Sequence, residues 1–221
     1  MIRRFKSTSS SKRWLERHVS DQFTRQSKIL NYKSRAAFKL IEINNKFRIF
    51  NKSSRNILDL GYAPGSWSQV AAQEMQKKGV TPQILGVDLI RSSPPKGISF
   101  IQGDFLNPDV QSQIFGHFNN SPVNLILSDM MTNTTGIKDI DHLGSMDLCH
   151  SVLQLSQALL NKNGSVVMKF FMGKEQELIE SKLREMFAKV YTFKPQSSRD
   201  ESREQFFIGM KKRLRSSEEK D

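Results

Sequence analysis

Residues 56–68 read Asn56-Ile57-Leu58-Asp59-Leu60-Gly61-Tyr62-Ala63-Pro64-Gly65-Ser66-Trp67-Ser68, and they decide the fold. The first five form a short apolar run, the pattern of a buried strand. Gly61 stops it, and a helix is predicted from about Ser66 to Lys77. Glycines in such a turn let the backbone approach a ligand closely, and the helix N-terminus adds donors. An ordinary strand-to-helix turn would use similar residues. The spacing is not G-x-G-x-x-G, because Ala63 and Pro64 break it. A cofactor without a pyrophosphate therefore fits better than a dinucleotide.

The same alternation continues outward. Further strands are predicted at Ile84 to Leu89, Ile98 to Ile101, Val123 to Leu127, Ser165 to Met168, Val190 to Phe193 and Gln205 to Met210. Helices are predicted near Asp109 to Phe118, Leu143 to Leu160 and Glu175 to Ala188, where apolar residues recur at helical spacing. Upstream, Arg13 to Ile29 reads as one amphipathic helix or two short ones, and Ser34 as the N-cap of another. Strands alternating with helices give an α/β fold: a Rossmann-like, seven-stranded, mostly parallel sheet with helices on both faces.

Ligands of such sheets bind beyond the carboxyl ends of the strands. The residues standing there are Gly61, Asp88, Asp104, Asp129 and Lys169, mostly polar or charged. A carboxylate at Asp88 can accept from both hydroxyls of a ribose, and one at Asp104 from an adenine amino group. Either is also acceptable as a helix cap or surface acid. S-adenosylmethionine has the ribose and the adenine and lacks phosphates, so it is the cofactor expected.

The 221 residues match one α/β domain in length. Domain boundaries are expected at 1–12, 13–210 and 211–221, the last a charged C-terminal tail. No apolar run is long enough to cross a bilayer. The single cysteine, Cys149, has no internal disulfide partner, which fits a reducing compartment. Lys and Arg number 34 against 22 Asp and Glu, a net charge of +12, so the surface suits a polyanion. Residues 1–12, MIRRFKSTSSSK, hold Arg, Lys and Ser and no acid, the composition of a mitochondrial presequence and equally of a basic RNA-binding arm.

Six short motifs then coincide along the chain. They are Ser11-Lys12-Arg13-Trp14-Leu15; Tyr32-Lys33-Ser34-Arg35-Ala36-Ala37-Phe38-Lys39-Leu40; Asp59-Leu60-Gly61 with Ala63-Pro64-Gly65 and Trp67-Ser68; Gln102-Gly103-Asp104-Phe105; Ser128-Asp129-Met130; and Ser197-Ser198-Arg199 with Ser202-Arg203-Glu204. Through them the chain resembles the FtsJ/RrmJ-type RNA ribose 2′-O-methyltransferases, from about Ser11 to Met210. The resemblance implies a catalytic set of Lys39, Asp129, Lys169 and Glu204. It also implies cofactor contacts at Gly65, Trp67, Asp88, Asp104 and Asp129, to which the strand-end reading adds Gly61. Two departures stand out. Gly65 is followed by Ser66 where the family often has a second glycine. Asp129-Met130 is followed by Met131-Thr132-Asn133 where the family has Ala-Pro-Asn, which predicts a looser loop behind Asp129.

The implied chemistry suits these residue types. A ribose hydroxyl must lose its proton as it attacks a sulfonium methyl, and a general base works best with a pKa near the ambient pH. Free lysine, at about 10.4, is too basic for that. Desolvation and a neighbouring cation lower such a group, and Lys39 is a second cation near Lys169. Asp129 is expected to orient Lys169 and the hydroxyl, and Glu204 to hold Lys39 or the ribose. No metal site is expected. Arg13, Arg17, Lys33, Arg35, Lys194, Arg199 and Arg203 flank the site in sequence and are expected to form a basic RNA-binding rim.

The compact chain and its first twelve residues resemble the members acting on bacterial or mitochondrial large-subunit rRNA, and the mitochondrial members are favoured. The implied reaction is 2′-O-methylation of a uridine there, by a monomer located in the matrix. Three other readings remain open: an rRNA-binding assembly factor on the same fold, a relative acting on tRNA, and a nicotinamide oxidoreductase. The last is disfavoured by the missing G-x-G-x-x-G and the lack of a separate substrate domain.

Overall fold

A computed structural model describes residues 21–199 and 201–214. The expectations for residues 1–12, for the helix from Arg13, for Arg13 and Arg17 themselves, and for most of the charged tail fall outside the described residues.

The elements run α1 (Gln22–Ile29), α2 (Ala36–Phe47), β1 (Asn56–Leu60), α3 (Ser66–Lys77), β2 (Gln83–Asp88), β3 (Ile98–Gln102), α4 (Pro108–His117), β4 (Val123–Ser128), α5 (Lys138–Leu159), β5 (Leu160–Phe171), α6 (Gln176–Met186), β6 (Phe187–Phe193) and β7 (Glu204–Lys212). They build one seven-stranded sheet in the order β3-β2-β1-β4-β5-β7-β6. Every pairing is parallel except those of β7, which runs antiparallel to both β5 and β6. The predicted fold is the observed one.

Burial follows from this layering. Neighbouring residues of β1, Ile57 and Leu58, are both fully buried, because each face of the central sheet is covered by helices. Ile57 packs with Leu40, Ile43, Trp67 and Val70 of α2 and α3. Leu58 packs with Ile114, Val152 and Leu183 of α4, α5 and α6. Phe170 and Phe207 stack at 3.9 Å between ring centroids within this second core.

The strand order reverses between β1 and β4, so their carboxyl ends open a crevice. Gly61 and Asp129 lie on its two sides. Gly61 has φ +73°, and a Cβ there would stand 2.5 Å from the Met130 side chain, so only glycine lets these two loops touch. Below the loop, the buried Tyr62 ring lies across β2, where a Cβ on Gly86 would meet it at 2.1 Å.

Several boundaries differ from the sequence expectation. Helix α5 begins at Lys138, five residues before Leu143, because its first turn is exposed and lacks the apolar signal. Strand β5 begins at Leu160 rather than Ser165. Asn161-Lys162-Asn163-Gly164 reads as a turn, but it is a stretch of strand where the β4 register shifts and Asn163 takes φ 63°. Strand β5 also runs past Lys169 to Phe171, so Lys169 lies within the strand and not at its end. The cap position of α2 is Arg35, although the Ser34 hydroxyl does accept from the Ala36 N–H at 3.3 Å.

Gly86→Ala is expected to cost about 1–3 kcal/mol in a urea titration, since the added methyl overpacks against Tyr62. A variant as stable as the parent would show that Tyr62 does not need that space.

Candidate active site

Strand register brings three of the four predicted catalytic residues together, and the packing of α2 adds the fourth. Ser128 of β4 pairs with Met168 of β5, so the next residues, Asp129 and Lys169, lie side by side. Lys169 pairs across β5 and β7 with Phe206, and Phe171 with Glu204. Side chains alternate along a strand. Phe206 packs in the core covered by α2, and Lys169 and Glu204 share its face of the sheet. Lys39 descends onto that face from α2, its Nζ 5.9 Å from the centre of the Phe206 ring.

Two ion pairs result. Lys39 Nζ lies 2.8 Å from Glu204 Oε1 and donates to Oε2 at 2.9 Å. Burial pushes the Lys39 ammonium down, but the Asp129 and Glu204 charges and the Glu204 hydrogen bond outweigh it. The net result holds Lys39 above its ordinary value, as a charged group. Lys169 Nζ donates to the Asp129 backbone carbonyl at 2.6 Å and lies 3.1 Å from Asp129 Oδ1. That second contact is close enough for an ion pair but misaligned for a hydrogen bond, so Oδ1 is a buried acceptor with no donor of its own. Glu204 therefore holds Lys39, one of its two expected partners, and Asp129 engages Lys169.

A pocket of about 180 Å³ adjoins these pairs, lined by Ser34, Arg35, Ala36, Lys39, Arg199 and Glu204. The loop of residues 61–65 leads into α3, whose Ser66 meets the pocket residue Ser34 at 2.9 Å. Gly65 caps α3 with φ 104°, and a Cβ there would strike Tyr62 at 2.4 Å. Asp88 spans this loop: Oδ2 accepts from the Ala63 N–H at 2.7 Å and Oδ1 from the Ile90 N–H at 2.8 Å. Each oxygen keeps one further lone pair for a ligand hydroxyl. Asp104 is exposed and accepts from the Leu106 N–H at 2.9 Å. The Trp67 indole is 2% exposed, stacks near Phe206, and donates to the Ala36 carbonyl at 2.9 Å. The ring thus joins α3 to α2. As a cofactor contact, Trp67 has only its backbone in the first turn of α3 to offer. Ser66, which stands in for the family's second glycine, is buried against Ser34, hydroxyl to hydroxyl at 2.9 Å.

The loop after Asp129 is anchored despite the missing proline. Asp141 accepts from the Thr135 N–H at 2.7 Å, the Thr135 hydroxyl at 2.9 Å and the Gly136 N–H at 3.2 Å. Those bonds hold the Asp141 carboxyl below its ordinary range.

The basic residues separate into two kinds. Lys33 is exposed beside the pocket. Arg203 donates to the carbonyls of Lys138 and Met172, and Lys194 to that of Ser202, so both tie loops together. Arg35 is shared between the Asp21 carboxylate and the Ser197 carbonyl.

Sequence reasoning passed over several supports. Glu42 accepts from the Gln196 and Ser197 N–H groups at 2.6 and 2.8 Å, pinning the β6–β7 loop to α2. His142 is 2% exposed, and its Nδ1 donates to the Phe171 carbonyl at 2.6 Å. Its Nε2 meets the Glu175 N–H at 3.2 Å and carboxylate at 2.7 Å. The Ser145 hydroxyl takes the Phe171 N–H at 3.0 Å. Both backbone groups of Phe171, two residues beyond Lys169, are thereby fixed from α5. These residues carry no local signal, since their partners lie some 26 to 155 positions away.

Asp59, at the carboxyl end of β1, is wholly buried and accepts from the Ser68 hydroxyl at 2.7 Å. Burial pushes its carboxyl up to about 7; the Ser68 hydrogen bonds oppose this, and the Asp129 and Asp88 charges add to it. The folded pKa exceeds the unfolded one, so this group's contribution to stability declines as pH rises from about 4 to about 7. Asp59→Asn keeps the Ser68 bond and removes that penalty. Relative to the parent it should gain stability across that pH range in parallel urea titrations, then level off. A difference independent of pH would refute the assignment.

The site can be set beside known proteins. The FtsJ-like methyltransferase family model matches residues 32–212. Ribosomal RNA large subunit methyltransferase E of Bartonella bacilliformis is 38% identical over 202 residues, 91% of this chain and 84% of that protein. The mitochondrial rRNA methyltransferase 2 of Schizosaccharomyces pombe is 37% identical over 212 residues, 90% of this chain and 95% of that protein. A crystal structure described as a ribosomal RNA methyltransferase from Plasmodium falciparum matches with a TM-score of 0.75 at 31% identity, over 83% of this chain and 100% of that one. With the fold, the crevice and matches of this extent in agreement, the chain belongs to the FtsJ-like methyltransferase family.

Proposed function

We propose that the protein transfers a methyl group from S-adenosylmethionine to a ribose 2′-hydroxyl of large-subunit rRNA. The observation that carries this is the open acceptor on Asp129 beside the Lys169 ammonium, next to a pocket walled by the Lys39–Glu204 pair.

The residues present fit the cofactor. Asp88 has lone pairs for the ribose hydroxyls, and Asp104 an exposed carboxylate for an adenine amino group. Leu89, Ile90 and Leu106 are exposed beside them, at 68, 67 and 49%, as an adenine ring would require of its bed. Asp88 and Asp129 stand at the ends of β2 and β4 on either side of the loop, which suits a ligand carrying positive charge. Bound there, S-adenosylmethionine supplies an electrophilic methyl on sulfur.

The chain's own residues do the rest. An ammonium has three donors, and Lys169 directs one to the Asp129 carbonyl and holds another near its carboxylate. The third is available to the attacking oxygen. Asp129 Oδ1 accepts from the hydroxyl and fixes the direction of its lone pair for in-line attack. As the O–C bond forms and the S–C bond breaks, either Lys169 positions the hydroxyl and its proton passes to Asp129, or Lys169 in neutral form takes that proton itself. Lys39, kept charged by Glu204, favours the negative charge that develops on the oxygen.

The rRNA substrate is supported by the names of the relatives from Bartonella and Schizosaccharomyces. A mitochondrial location is supported by the second of these and by the acid-free residues 1–12. A uridine target rests on the family resemblance alone. We take the protein to be a monomer in the matrix. Among the described residues no helix is long and apolar enough to cross a membrane.

Lys169→Ala should lower kcat on a large-subunit rRNA fragment by about 10²–10⁴-fold, the usual worth of a positioned acid–base group, with little change in KM for RNA. A variant near the parental rate would overturn the role of Lys169. RNA affinity should fall by at least roughly tenfold between about 50 and 200 mM salt as phosphate contacts are screened. A flat response would contradict a basic RNA-binding rim. Activity on pre-ribosomal particles but not on deproteinised rRNA would point to a substrate recognised during assembly.

A further inference from the structure

Two guanidinium groups, Arg35 and Arg199, line the pocket beside Lys39, and both turn to one carboxylate that lies outside it. That carboxylate belongs to Asp21. One oxygen, Oδ1, caps helix α1 by accepting from the Phe23 and Thr24 N–H groups at 3.0 and 3.2 Å. The other, Oδ2, forms an ion pair with Arg35 and lies 3.9 Å from Arg199 Nε. Asp21 is well sheltered, with its side chain 10% exposed, whereas that of Arg199 is 39% exposed.

Without an anion between them the two guanidiniums would repel. Burial and then the Arg199 charge push the Arg35 guanidinium below its ordinary value, which records that repulsion. Arg35 is further fixed by the Ser197 carbonyl, and the loop that carries Arg199 by Glu42. The Arg199 contact with Asp21 is ion-pair distance through Nε only. The two terminal nitrogens of Arg199, on a side chain 39% exposed, are a pair that can grip a phosphate in bidentate fashion.

We propose that Asp21 is a positioning residue for the nucleic-acid substrate. It gathers Arg35 and Arg199 into a preformed clamp for an RNA phosphodiester at the mouth of the acceptor pocket. The inference rests on the function proposed for this site. Its ligand is the backbone phosphate next to the reacting ribose. Holding the guanidiniums in place before binding removes an ordering cost that the RNA would otherwise meet.

Asp21→Asn keeps the cap acceptor, since asparagine caps helices as well as aspartate, and removes the charge. Asp21→Ser does the same with a shorter side chain. In the full chain, with methyl transfer to a large-subunit rRNA fragment as readout, both variants should raise KM for RNA by about five- to tenfold. Their kcat should fall by less than about twofold, as expected for lost binding rather than lost chemistry. In an Arg199→Ala background the Asp21 substitutions should cost clearly less, because their effect passes through Arg199. An unchanged KM would overturn the proposal. So would tighter RNA binding, which would make Asp21 a competitor of phosphate, or a full additive effect in the Arg199→Ala background. If the parent protein transfers no methyl group to any RNA offered, it is the function proposed for the site that fails. A parent that is active, with variants indistinguishable from it, sinks the Asp21 role alone.

Discussion

The antiparallel ladder between β5 and β7 is the constraint on which the site depends. Its register runs from Ser165 with Met210 to Phe171 with Glu204. That pairing fixes where Glu204 stands relative to Lys169, although 34 residues of helix, strand and loop separate them in sequence. Slipping it by one residue would send Glu204 to the opposite face and leave Lys39 a buried cation without its partner. The clamp on Phe171 from His142 and Ser145 holds the end of this ladder, and the bond from the Met172 N–H to the Arg203 carbonyl at 3.0 Å continues it past the last pair. Beside it, the parallel pairing of β4 with β5 sets Asp129 against Lys169.

Charge is distributed in this frame with little left to water. Two lysines and two carboxylates meet on one face of the sheet, each side chain less than one-fifth exposed. Glu204 neutralises Lys39, and Asp129 Oδ1 is held by the Lys169 ammonium at 3.1 Å without an aligned hydrogen bond of its own. An unsatisfied buried acceptor is costly in a finished structure. The ion pair with Lys169 offsets part of that cost.

Much of this was legible in the sequence. The run from Asn56 to Ser68 announced a strand, a glycine turn and a helix, and the polar residues following successive strands marked the end of the sheet where ligands bind. Asp129 and Lys169 were among those strand-end residues, whereas Lys39 and Glu204 needed the family resemblance, since nothing in spacing links them. Other features were hidden for physical reasons. Asn161 to Gly164 has turn composition yet lies in a strand, because a register shift absorbs it. Trp67 follows the glycine turn and looks like a ligand contact, but its ring is needed to join α2 and α3. Glu42 and His142 are ordinary residues locally, and their roles arise only from contacts made at long range.

The most direct measurement is the chemical identity of the product. The protein is incubated with methyl-labelled S-adenosylmethionine and large-subunit rRNA, and the RNA is digested with alkali and then with nuclease. A ribose 2′-O-methyl group blocks alkaline cleavage of the adjacent phosphodiester, so the label should appear in alkali-resistant dinucleotides and then in a single 2′-O-methylnucleoside. Label recovered on a base, from fully alkali-labile RNA, would contradict the assignment of the Lys169–Asp129 site to a ribose hydroxyl.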